Sequence, residues 1–114
     1  MNTIVKKPWG NYRIIEKGKN YIIKNICVLP NSKLSLQSHS YRSEHWVVIE
    51  GKAEIQIDNR ISILYPNEGV FIPKNSKHRL SNNEDKNLNI IEIWYGEKLS
   101  EEDIIRFEDI YDRI

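Results

Sequence analysis

Ala53-Glu54-Ile55-Gln56-Ile57-Asp58 places its apolar residues at every second position. That is the period of a half-buried β-strand, with side chains sent to opposite faces in turn. Asp58-Asn59 then turns the chain into Arg60-Ile61-Ser62-Ile63-Leu64, so the segment predicts a hairpin. Working outward, Glu44 to Ile49 is a β-rich run ended by Gly51, and Tyr21 to Leu29 is another, ended by Pro30-Asn31-Ser32. Val70-Phe71-Ile72 stops at Pro73, and Leu88 to Tyr95 stops at Gly96. Roughly eight short strands, punctuated about every 8 to 12 residues, predict an all-β antiparallel sandwich or barrel rather than a βαβ fold.

The last segment reads differently. Ser100 precedes Glu101, Glu102 and Asp103, an N-cap followed by acids in a first turn. Ile104, Phe107, Tyr111 and Ile114 then recur at helical spacing. The pattern predicts a short carboxy-terminal helix laid on the β-core.

A chain of 114 residues has room for one domain, 1–114, and its 19 isoleucines supply enough apolar bulk to close a core. The formal charge is +1, from 17 basic and 16 acidic side chains, which removes the electrostatic reason to expect nucleic acid or an anionic membrane as partner. No apolar stretch approaches the roughly 20 residues of a spanning helix. The start, Met1-Asn2-Thr3-Ile4-Val5-Lys6-Lys7, lacks the apolar run of a signal peptide, so a cytoplasmic location is expected. Cys27 is the only cysteine and lies in an Ile/Val/Leu run, as a small buried residue of a reducing compartment does.

Gln37 and His39 lie two apart on the expected strand Leu34–His39 and so share a face. Glu44 opens the next strand, and His78 follows Ile72-Pro73. A carboxylate, two imidazoles and an amide oxygen form a mixed N/O donor set. Such a set suits one divalent ion of Mn, Fe, Co, Ni or Zn, and suits structural zinc poorly because no thiolate pair is present. The spacing Gln37-x-His39-x4-Glu44-x6-Gly51, with Pro73-x4-His78-x3-Asn82 later, resembles the two motifs of the cupin superfamily of double-stranded β-barrels (jelly rolls), with Gln37 in the place of the first histidine.

A closer resemblance covers nearly the whole chain. Lys7-Pro8-Trp9-Gly10-Asn11-Tyr12, Leu34-Ser35-Leu36-Gln37-Ser38-His39, Arg42-Ser43-Glu44-His45-Trp46-Val47-Val48, Ile72-Pro73, His78-Arg79-Leu80 and Asp103-Ile104-Ile105-Arg106-Phe107-Glu108-Asp109-x-Tyr111 occur in this order. Together they are similar to the type II mannose-6-phosphate isomerase domain. In that family the domain usually forms the second half of a bifunctional enzyme whose first half is a mannose-1-phosphate guanylyltransferase. No Gly-rich nucleotide-binding segment occurs here, so the resemblance extends to the isomerase half. Family members commonly continue the Gln-x-His run with two more histidines; here those positions are Ser40 and Tyr41.

The resemblance implies aldose–ketose isomerisation of a hexose phosphate through a cis-enediol, serving surface polysaccharide or nucleotide-sugar supply. That chemistry needs a metal at Gln37, His39, Glu44 and His78, and a general base. Glu92, amid Asn89-Ile90-Ile91 and Ile93-Trp94, fits the base by type, although a carboxylate on the solvent face, or one paired with Lys24, is its other reading; Glu44 is a weaker base while coordinated. Strand alternation points His45 away from Glu44. A phosphate needs cations, for which Arg42 is the first choice and Lys24, Arg79 and Arg106 the others. Trp9, Tyr12 and Tyr41 are candidates to stack on a sugar or to fill the core. Two alternatives stand beside the isomerase: a cupin enzyme acting on another sugar derivative, as an epimerase or nucleotide-sugar isomerase, and a non-catalytic sugar-binding or regulatory cupin. A homodimer is expected, paired through Tyr21–Leu29 or the amino terminus.

Overall fold

The computed structural model describes residues 3–113. In chain order the strands are β1 (Ile4–Lys7), β2 (Gly10–Lys17), β3 (Tyr21–Val28), β4 (Ser32–Lys33), β5 (Leu36–Ser38), β6 (Arg42–Glu50), β7 (Ala53–Ile57), β8 (Arg60–Leu64), β9 (Gly69–Ile72), β10 (His78–Asn82), β11 (Leu88–Gly96) and β12 (Ile105–Glu108). All pairings are antiparallel, as alternating sequences and short connections favour. One sheet runs β1-β2-β3-β11-β6-β9; the other runs β12-β5-β10-β7-β8, with β4 also on β10. The deciding hairpin is β7–β8, with Ala53 opposite Leu64 and Ile57 opposite Arg60.

Register explains where the core ends and polar chemistry begins. Ile26, Ile90 and Val48 lie side by side across β3, β11 and β6, all buried. Together with Val28, Leu88, Ala53, Ile55, Leu80 and Ile72 they fill one end of the barrel. Each of the Val, Leu and Ile side chains contributes roughly 1.5–3 kcal/mol by leaving water. The next row inward is Lys24, Glu92 and Trp46, and the row after it Ile22, Trp94 and Glu44. Period two therefore carries the same three strands from an apolar plug to a polar mouth. Gly51 makes the β6–β7 turn possible: its φ is 99°, and a Cβ there would stand 2.9 Å from the Asn87 carbonyl oxygen.

Two expectations are corrected. The carboxy-terminal helix does not form. Ser100 caps one turn only, its Oγ accepting the Glu102 N–H at 3.0 Å and its carbonyl the Asp103 N–H at 3.1 Å. Asp103 is then drawn out of helical geometry, because its carboxylate accepts the N–H groups of Ser40 and Tyr41, both at 2.9 Å. The β-branched Ile104-Ile105 pair leads into β12, which takes the open edge of β5. Arg106 and Phe107 thus lie on a strand, while Ile114 of the expected stripe, like Met1 and Asn2, lies outside the described residues. Second, β3 is paired on both sides, by β2 and β11, so Tyr21–Leu29 has no free edge for a partner chain.

Candidate active site

His39 and His78 are prepared as neutral ligands. His39 Nδ1 lies 2.6 Å from the Asp103 carbonyl oxygen, and His78 Nδ1 lies 2.9 Å from that of Ser76. A carbonyl only accepts, so each Nδ1 carries the ring proton and each Nε2 keeps its lone pair. Burial, helped by the Arg42 charge, lowers the His39 pKa to about 4, and burial lowers that of His78. Both Nε2 atoms turn to Glu44, at 3.2 Å for His39 and 3.9 Å for His78. The ligand atoms of His39, Glu44 and His78 all lie within 4.8 Å of one another.

Two observations test whether a divalent ion fits this group. His78 Nε2 is buried with no hydrogen-bond partner, an arrangement that costs about 1–3 kcal/mol unless something binds there. The Nδ1–carbonyl bonds are the outer contacts that hold metal-ligating histidines in orientation. Gln37 stands directly opposite His78 across β5 and β10. Its Nε2 donates to Ser35 Oγ at 3.0 Å, which leaves the carbonyl oxygen as the amide's ligand atom. The residues present fit an ion of the N/O-preferring class.

Arg42 lies against this cluster. Its Nε donates to Glu44 Oε2 at 2.8 Å, Nη2 lies 3.2 Å from His39 Nε2, and the guanidinium stacks 3.4 Å from the Trp94 ring centre. Glu92 is buried beside it. Its two oxygens accept the indole N–H groups of Trp46 and Trp94, at 2.9 and 2.8 Å. Burial first, and the Glu44 charge second, raise the Glu92 pKa to about 8. The Glu92–Lys24 register of the sequence is present, yet Lys24 spends its ammonium on Glu101 at 2.7 Å, sitting over the Trp94 and Tyr12 rings at 3.4 and 4.2 Å.

These groups line a cavity of about 60 Å³ together with Gln37, His78 and Arg106. Arg106 is Gln37's neighbour on the other side, so Arg106, Gln37 and His78 form a row across β12, β5 and β10. The Arg106 Nε is buried without a partner. Other expected residues are placed elsewhere or are already engaged. Tyr41 is half exposed, with the Lys98 ammonium 4.9 Å from its ring, and does not line the cavity. Arg79 lines it but spends its donors on the Leu34 carbonyl and on Glu108. Trp9 and Tyr12 belong to the packed core as well as to the cavity wall. His45 faces outward against Phe71, as alternation requires.

Residues 1–109 match the family model described as "Mannose-6-phosphate isomerase C-terminal". The chain belongs to this family. It is 44% identical over 109 residues to the alginate biosynthesis protein AlgA of Pseudomonas putida, covering 96% of this chain and 22% of that protein. It is 41% identical over 114 residues to the mannose-1-phosphate guanylyltransferase ManC of Salmonella typhimurium, covering 100% of this chain and 24% of that protein. The chain thus spans less than a quarter of the length of these relatives. Among solved structures, oxalate decarboxylase of Bacillus subtilis superposes with a TM-score of 0.82 at 16% identity, over 93% of this chain and 30% of that one. The cupin domain of Schizosaccharomyces pombe Cnp3 gives 0.72 at 7% identity, over 75% and 64%. At such identities the likeness is one of fold, and the fold is the cupin barrel.

Within this mannose-6-phosphate isomerase C-terminal domain, sequence reasoning missed the strap Ser100–Asp103. Each of its residues Ser100, Glu101 and Asp103 makes a contact to the site: Ser100 O accepts from Arg42 Nη1 at 3.1 Å, Glu101 binds Lys24 and Tyr12, and Asp103 O holds His39. Burial alone would raise the Glu101 pKa, but the Lys24 charge and hydrogen bond, with Lys7 and Tyr12, hold it below the ordinary carboxylate value. A carboxyl with a depressed folded-state pKa binds protons more readily when released. Its stabilisation is full above the unfolded pKa and is lost as pH falls through the folded one. The amides of Glu102 and Asp103 are therefore expected to lose hydrogen-exchange protection as pH falls below the ordinary carboxylate range, after correction for intrinsic rates. Glu101→Gln is expected to show that loss already at pH 7.

Proposed function

We propose that the chain is a metal-dependent sugar-phosphate isomerase of the cytoplasm, with mannose 6-phosphate and fructose 6-phosphate the first pair, feeding polysaccharide or nucleotide-sugar synthesis. The observation that carries this reading is the buried base Glu92 beside the His39–Glu44–His78 cluster, in one cavity with the cations Lys24, Arg42 and Arg106. Membership in the family supports it.

His39, Glu44 and His78, with Gln37 as fourth donor, would hold one divalent ion of Mn, Fe, Co, Ni or Zn. Such an ion supplies Lewis acidity that polarises a sugar carbonyl. The chain does the rest. Glu92 Oε takes the proton from the carbon next to the carbonyl and returns it to the former carbonyl carbon, while the hydroxyl proton of the first carbon passes to the former carbonyl oxygen; its raised pKa suits a base working near neutrality. The Trp46 and Trp94 indoles fix both Glu92 oxygens, so the carboxylate is positioned before substrate arrives. Arg42, Lys24 and Arg106 bind the phosphate. For that, Lys24 exchanges Glu101 and Arg42 exchanges the Ser100 carbonyl for phosphate oxygens, so substrate entry displaces the strap. Closure of Ser100–Asp103 afterwards excludes water.

The direct experiment is a coupled assay of fructose 6-phosphate formation from mannose 6-phosphate after loading with each of the five metals. Turnover with at least one metal, abolished by chelator, supports the reading. No turnover of any hexose phosphate by metal-loaded protein contradicts it.

A further inference from the structure

Trp94 stands between two cations. The Lys24 ammonium and the Arg42 guanidinium each lie 3.4 Å from its ring centre. Two like charges that close to one ring cannot share a face, so they take opposite faces. The strand register produces this arrangement. Period two sends Glu92, Trp94 and Gly96 of β11 inward together. Lys24 of β3 pairs with Glu92, and Arg42 of β6 pairs with Gly96, so the two cations reach Trp94 from opposite directions along β11. Gly96 has no side chain to come between Arg42 and the indole. Lys24, Arg42 and Trp94 are all buried. An aromatic face attracts a buried cation without neutralising it, so the charge stays available to an anion.

Two adjacent residues of the strap already span this pair. Arg42 Nη1 donates to the Ser100 carbonyl at 3.1 Å, and Lys24 Nζ donates to Glu101 Oε2 at 2.7 Å. We propose that Trp94 is the positioning residue of the phosphate subsite: it spaces Lys24 and Arg42 so that one phosphate takes both in place of Ser100 and Glu101. The proposal rests on the sugar-phosphate reading above and adds to it the residue that sets the subsite. A phosphate presents three acceptor oxygens in different directions and so accepts from both cations at once. The same indole donates its Nε1–H to Glu92 Oε1 at 2.8 Å. One rigid side chain therefore fixes the phosphate cations relative to the base.

Calorimetric titration of inorganic phosphate into the chain, stripped of metal and exchanged out of chelator, reads the subsite without turnover. The wild type is expected to bind phosphate. Trp94→Met fills the space with a flexible side chain that has no π-face, and is expected to weaken binding by about 10-fold or more. Trp94→Phe keeps a face between the cations and is expected to hold affinity within about 3-fold of wild type. In metal-loaded protein, Trp94→Met is expected to raise the KM for mannose 6-phosphate, whereas Trp94→Phe, lacking the N–H to Glu92, lowers kcat with KM kept. Trp94→Leu takes the place of Trp94→Met if that variant does not fold. A wild type that binds no phosphate overturns the subsite together with the reading it rests on. A phosphate-binding wild type whose affinity survives Trp94→Met, or a Trp94→Phe as weak as Trp94→Met, overturns the role of Trp94 alone.

Discussion

His78→Ala is expected to reduce bound divalent metal from about one ion per chain to near background, with affinity lowered by more than about 100-fold. Losing a mere outer contact to a metal-bound histidine costs about 10- to 100-fold, and this change removes a ligand itself. The expected result extends to stability. For the wild type, saturating metal at 100 times its Kd adds about 2.7 kcal/mol to folding, so chelator should lower its Tm. The variant's Tm should ignore chelator. Metal-free wild type carries a buried Nε2 without a partner, which His78→Ala removes. The metal-free variant loses the Nδ1–H bond to the Ser76 carbonyl and the packing of the ring against Trp46 and His39. Elemental analysis, with thermal melts with and without chelator, checks all of this. Unchanged metal content in His78→Ala would place the ion elsewhere.

Glu92→Gln is expected to lower kcat by about 100- to 10,000-fold, the worth of a positioned general base, with KM nearly unchanged. The two side chains have nearly the same shape, so phosphate binding at Arg42, Lys24 and Arg106 is untouched. The amide differs in one further respect. It offers one oxygen, whereas the Trp46 and Trp94 indoles both donate to Glu92. The Trp46 indole N–H also donates to Glu44 Oε1 at 3.0 Å, so with the amide oxygen turned to Trp94 neither indole goes unpaired, and stability is expected to change by less than about 1 kcal/mol. Steady-state kinetics and a urea melt of the same preparation measure the two effects. A KM raised as strongly as kcat is lowered would instead make Glu92 a binding group.

The barrel was legible in the sequence because period two is local. Ala53 to Ile57, Leu88 to Tyr95 and Glu44 to Ile49 each declare their inner faces, and the structure follows them. The gathering of His39, Glu44 and His78 was legible from motif spacing. The same alternation carried a signal that was not used: Trp46 stands two after Glu44 and Trp94 two after Glu92, which puts each indole on the face of its carboxylate. The end of the chain misled because its cues are local and its partners are not. Ser100 and three acids spell a helix start, yet Asp103 meets Ser40, Tyr41 and His39 more than sixty positions away. Those contacts outweigh a turn's worth of helix propensity, which is under about 1 kcal/mol per residue. Ser40 and Tyr41 give Asp103 their backbone N–H groups. That role leaves no trace in residue identity.

The central claim is that Glu92 moves a proton between adjacent carbons of a sugar phosphate. Proton NMR of mannose 6-phosphate incubated with metal-loaded protein in deuterated water tests it most directly. The account predicts that the C2 proton signal of mannose 6-phosphate decays and that deuterium appears at C1 or C2 of the sugar phosphates, and that neither happens with Glu92→Gln. Conversion to fructose 6-phosphate at the wild-type rate by Glu92→Gln, or the same exchange rate in Glu92→Gln, would contradict it.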